Sequence, residues 1–135
     1  MGSTILQSDA QGHYHGNQVG SEAALFGSYL PKLHEHKTMV QSALQQMATL
    51  GFFGNVGIDA MIWGDDKLHA IVEINARKTM GWISLQIAKR LFPNQTITVS
   101  YLIASRPPYL LPEGIIKPSG KIERFSRNLQ ILHLN

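Results

Sequence analysis

The residues with the most chemistry are Asp59, Glu73, Asn75 and Arg77. They lie in two apolar-rich runs, Gly57-Ile58-Asp59-Ala60-Met61 and Ile71-Val72-Glu73-Ile74-Asn75-Ala76-Arg77. Between the runs stands Gly64-Asp65-Asp66-Lys67, whose residue types form turns, so residues 56–63 and 68–76 read as the strands of an antiparallel hairpin. Successive side chains of a strand point to opposite faces. Val56, Ile58, Ala60, Ile62, Leu68, Ala70, Val72 and Ile74 therefore share one apolar face, expected to pack on the core. The other face carries Gly57, Asp59, Met61, Trp63, His69, Ile71, Glu73 and Asn75. A three-residue loop from Asp65 to Lys67 would place Asp59 opposite Glu73, and a slip of one residue would turn an apolar row outward.

Carboxylates on directly opposed residues, with Cβ atoms about 4.5–5.5 Å apart, repel each other. A shared proton, a neighbouring cationic side chain or a bound cation must neutralise them. Asn75 adds a neutral oxygen on the same side, and an all-oxygen donor set suits Mg²⁺ or Mn²⁺ rather than zinc. The competing reading is a polar face that is simply wet; Met61, Trp63 and Ile71 on that face favour one that is covered. Arg77 and Lys78 directly precede a second helix, where outward-pointing backbone N–H groups favour anions and a guanidinium can grip a phosphate with two hydrogen bonds. Both are candidate nucleotide ligands. In the purely structural alternative, Arg77 pairs with Glu73 and Thr79 is a helix cap.

The elements that must hold these residues can be read along the chain. Thr4 to Gln7 is a short strand, and Gly12, Gly16 and Gly20 mark turns around another. Met39, Val40, Ala43, Leu44, Met47 and Leu50 recur at helical spacing and predict a helix over Thr38 to Leu50, with Thr38 as cap and Gly51 as stop. A second helix spans Thr79 to Phe92, with Met80, Ile83, Ile87, Ala88 and Leu91 on one face and Pro93 ending it. Thr96 to Ala104 is β-branched and apolar and reads as a strand. After Pro107-Pro108, the runs Ile115-Ile116, Lys121 to Phe125 and Leu129 to Leu134 suggest a terminal meander. The order predicts an α+β fold, with a mostly antiparallel sheet and two main helices, in one domain over residues 1–135.

Bulk properties narrow the function. A chain of 135 residues is one domain's worth. No apolar run approaches the roughly 20 residues that cross a bilayer, and the first residues lack the charged and apolar segments of a signal peptide. Cysteine is absent, which excludes disulfides and thiolate metal sites and fits a cytoplasmic protein. The net charge of +3 is scattered, so nucleic acid is not the expected partner, although Lys117, Lys121, Arg124 and Arg127 could meet an acidic one. His13 with His15, and His34 with His36, each alternate by one residue and would form a histidine metal site if they lay on strands.

From Gly51 to Pro93 the sequence GFFGNVGIDAMIWGDDKLHAIVEINARKTMGWISLQIAKRLFP resembles the ATP-grasp superfamily. That family's late signature is a Gly-x-Asp strand, a short loop, a strand ending in Glu-x-Asn-x-Arg, and a helix. The resemblance implies that Asp59, Glu73 and Asn75 hold magnesium bridging ATP phosphates, and that Arg77 contacts phosphate or an acyl-phosphate intermediate. It implies a ligase that activates a carboxylate with ATP and joins it to an amine or similar nucleophile. Two features depart from the family: Gly57 stands where some members have an arginine, and the N-terminal domain, glycine-rich loop and adenine-binding hinge have no match. The chain is therefore expected to be the C-terminal, metal-binding half of a longer ligase, inactive alone, with an open sheet edge that could make a homodimer. The alternative is a non-catalytic interaction or scaffold module derived from that fold.

Overall fold

The computed structural model describes residues 1–102, 114–124 and 128–133. Strands β1 (Ile5–Ser8) and β2 (Tyr14–Val19) form an antiparallel hairpin. Its turn is organised by Asp9, whose Oδ1 accepts the backbone N–H groups of Gln11 (2.9 Å) and His13 (2.8 Å). Ser21 then caps the short helix α1 (Glu22–Phe26), accepting the Ala24 N–H at 3.2 Å. A single 3-10 turn, Gly27–Tyr29, leads into helix α2 (Leu30–Thr49).

Helix α2 begins well before the expected Thr38. Pro31 stands in its first turn, where a missing N–H costs nothing. Thr38 lies inside the helix and donates its hydroxyl to the His34 carbonyl (3.1 Å) instead of capping. Leu33 and Val40, two turns apart, are its buried residues, and the polar run between them hid this stripe from a periodicity reading. Gly51, with φ of 87°, follows the helix as expected.

The remaining elements are β3 (Gly57–Trp63), β4 (Lys67–Asn75), helix α3 (Met80–Leu91), β5 (Ile97–Leu102), β6 (Gly114–Ile116), β7 (Ile122–Arg124) and β8 (Asn128–His133). The fold is α+β, and among the described residues every strand pairing is antiparallel. The strands divide into a four-stranded sheet of order β1-β2-β5-β8 and two separate hairpins, β3-β4 and β6-β7. Parts of the expected C-terminal elements, namely Ala104, Pro107-Pro108, Phe125, Arg127 and Leu134, lie outside the described residues. Among the described residues no helix is long and apolar enough to cross a membrane.

Helix α3 lies on one face of the four-stranded sheet. Val19, Ala88, Ile97 and Val99 form the buried cluster, with Met80, Ile83, Leu85, Ile87 and Phe92 packed around it. A polar tie fixes the start of α3 over the same sheet. Asn17, buried on β2, accepts from the Tyr14 hydroxyl and donates to Thr4 Oγ1 at 2.9 Å. Gly81 sits against this pair, since a Cβ there would stand 3.2 Å from Thr4 Oγ1 and 3.6 Å from Asn17 Nδ2.

Ile97 is completely buried in this cluster. Ile97→Ala is expected to destabilise the chain by roughly 2–5 kcal/mol, measured by urea denaturation, because the surrounding sheet and helix cannot collapse into the space left.

Candidate metal and phosphate site

In the β3-β4 hairpin Gly57 lies opposite Asn75, Ile58 opposite Ile74 and Asp59 opposite Glu73. The two carboxylates therefore stand on one side of the hairpin. The route to this pairing differs from the expected one. The connecting turn is Gly64–Asp66, with Asp66 in the left-handed region at φ 57°, and Trp63 pairs with Lys67. Toward the middle, one residue of β3, Ala60, faces three of β4, Ala70 to Val72, between the pairs Asp59–Glu73 and Met61–His69. A shift of two residues preserves the inside-outside alternation, because side chains repeat every two positions. The carbonyl of Ala70, within the shifted stretch, lies 2.9 Å from His36 Nδ1 on α2.

The expected burial of the hairpin is corrected by the structure. Ala70 is buried, but Ile62, Val72 and Ile74 of the supposed core face are exposed, as are Met61 and Trp63 on the face with the acids. Alternation predicts which side chains share a face, yet says nothing about what covers that face. Helix α2 packs against β4, where His36 meets the Ala70 carbonyl.

The Asp59 carboxyl is raised above its ordinary value, first by partial desolvation and then by repulsion from Glu73, with the Arg77 guanidinium opposing both. Arg77 does not bridge to Glu73. Its Nη2 donates to Asn75 Oδ1 (3.0 Å), its Nη1 to the Lys78 carbonyl (3.5 Å), and its backbone N–H to the Asn75 carbonyl (2.8 Å). The Asn75 oxygen offered to a cation is thus occupied by a guanidinium. Lys78 places its ammonium 4.9 Å from the centre of the Trp82 ring. Thr79 caps α3, accepting the Trp82 N–H at 3.3 Å.

Gly57 is explained by this cap. A Cβ at position 57 would lie 2.5 Å from Thr79 Cγ2, so the start of α3 occupies the space that a side chain there would need. The spacing Gly57-x-Asp59 was legible, but the contact behind it was not, because Thr79 approaches from another element.

The histidines do not form the strand pairs expected of a metal site. His34 and His36 lie on α2. His13 Nδ1 (3.0 Å) and His15 Nε2 (3.4 Å) both approach Asp9 Oδ2, a carboxylate the sequence reading passed over. The Asp9 carboxyl is held below its ordinary value, chiefly by the His13 backbone N–H. Among the described residues no group of three or more His, Asp or Glu side chains is arranged to hold a metal ion, and the hairpin supplies two carboxylates and one amide.

Two outcomes follow from this geometry. Gly57→Ala is expected to lower stability by about 1–2 kcal/mol by displacing the Thr79 cap, and Thr79→Ser in the same chain restores most of it by removing Cγ2 while keeping the hydroxyl. Denaturant titration of the single and double variants checks this. Because the folded state holds Asp59 above its ordinary value of 3.8, the stability linked to its protonation is full below 3.8 and is lost as pH rises through the folded value. Asp59→Asn should therefore melt above the parent at pH 7 in metal-free buffer, with the two melting curves converging as the pH falls toward the ordinary value. In comparisons with known proteins, no family model, no curated protein and no solved structure matches this chain.

Proposed function

We propose that the chain is the metal- and phosphate-binding part of an ATP-dependent ligase of ATP-grasp type. Such a ligase joins a carboxylate to an amine or similar nucleophile in the cytoplasm as part of a longer protein. The observation that carries this reading is the direct opposition of Asp59 and Glu73, with Arg77 and the start of α3 at the same end of the hairpin.

The donor chemistry fits magnesium or manganese. Two carboxylates side by side crowd negative charge, which adds to desolvation in raising the Asp59 carboxyl, and a hard divalent cation relieves it through oxygen ligands. Asp59 and Glu73 would hold the ion, and Asn75 would add its oxygen once Arg77 exchanges that amide for a phosphate. Arg77 and Lys78 then present cationic donors beside the outward N–H groups of α3. When bound, the metal supplies charge neutralisation for the transferring phosphoryl group. The chain's own part is to bind and orient the polyphosphate.

The exposed apolar side chains Met61, Trp63, Val72 and Ile74 favour a second reading, in which the hairpin is an interaction or scaffold surface for another domain or a second copy. In that case Glu73→Ala leaves the protein's cellular task intact.

The two readings separate in a Mn²⁺ titration with ATP present, following free manganese by electron paramagnetic resonance. The parent is expected to bind, and Asp59→Asn with Glu73→Gln to lose about tenfold or more in affinity. A double variant that titrates like the parent would sink the ligase reading.

A further inference from the structure

We propose that Trp82 is a positioning residue for nucleotide binding: its ring holds the Lys78 ammonium beside the start of α3, where it meets the polyphosphate. This inference rests on the ATP reading above. Lys78 directly precedes the capping residue Thr79, and Trp82 is the third residue of the helix. The ammonium lies 4.9 Å from the ring centre. Trp82 is half-buried, and its backbone N–H donates to Thr79 Oγ1 in the cap of α3.

Lys78, like Lys67 over the Trp63 ring at 5.3 Å beside the hairpin turn, has an aromatic partner, and of the two it is Lys78 that stands beside the start of α3. Lys32, Lys37 and Lys117 are each neutralised by a glutamate. Among the described residues Lys78 has no carboxylate within ion-pair distance, and the hydrogen bonds of the neighbouring Arg77 go to neutral oxygens. An aromatic face attracts a cation without cancelling its charge. The ring therefore restricts the many rotamers of a lysine while leaving its full positive charge for an anion. Two cations with uncharged hydrogen-bond or ring partners, next to a helix start and a carboxylate pair, form a receptor for a metal-bound polyphosphate. The bland alternative is that the Lys78–Trp82 contact only sets the angle at which the chain enters α3, as an apolar staple does.

Two measurements on the full chain separate these possibilities. In a Trp63→Phe background Trp82 is the remaining indole, since the chain has two tryptophans. Magnesium tripolyphosphate, which has no aromatic ring of its own, should change the Trp82 emission as the anion meets the Lys78 ammonium held against the ring, and Lys78→Met should abolish the change. In Mg-ATP titrations Trp82→Leu should weaken binding about threefold and Trp82→Phe less than about twofold, because phenylalanine keeps an aromatic face. In a Lys78→Met chain, Trp82→Leu should add nothing. Equal weakening by Trp82→Leu with and without the lysine, or an emission change that survives Lys78→Met, would overturn the positioning role alone. A parent that binds neither Mg-ATP nor magnesium tripolyphosphate would overturn the nucleotide reading and this inference together.

Discussion

The seating of the first turn of α3 is the constraint on which the site depends. On one side Thr79 fills the space beside Gly57 of β3; on the other Gly81 lies against the Thr4–Asn17 pair of the β1-β2 hairpin. Small residues allow both approaches, and interior packing leaves no slack for larger ones. The far end of the helix is anchored by Ala88 and its apolar neighbours on Ile97 and Val99. The short link from Asn75 to Thr79 therefore runs between two fixed points, and Arg77 and Lys78 have little choice of location.

Within that frame the charges are arranged in tension. Asp59 and Glu73 repel, and Arg77 relieves Asp59 only in part because its hydrogen bonds go to Asn75 and the Lys78 carbonyl. A fully satisfied network would have paired guanidinium with carboxylate. Leaving like charges opposed and cations on neutral partners costs stability locally, and such costs cluster where a ligand completes the arrangement.

Much of the fold was legible because its signals are local. The hairpin strands, the α3 segment with its Thr79 cap, and the stop at Gly51 announce themselves through alternation, helical spacing and capping residues within a few positions of each other. The pairing of Asp59 with Glu73 was also accessible, although by a different loop, because parity survives a shift of two. What could not be read depends on distant residues. The early start of α2 relies on Leu33 meeting the rest of the chain, and the exposure of Val72 and Ile74 reflects what does not cover the hairpin. The approach of His36 to the Ala70 carbonyl joins residues with no periodic relation in sequence.

The mismatch of Ala60 against Ala70 to Val72 also divides the β3-β4 ribbon mechanically. Regular cross-strand bonding is interrupted at that point, so the outer loop, with Met61, Trp63 and His69, and the inner end, with Asp59 and Glu73, behave as two plates sharing a crease. His36 fastens the crease to α2. The register of the exposed tip is thereby set apart from that of the acids, so a change at the tip need not carry over to the Asp59–Glu73 pairing.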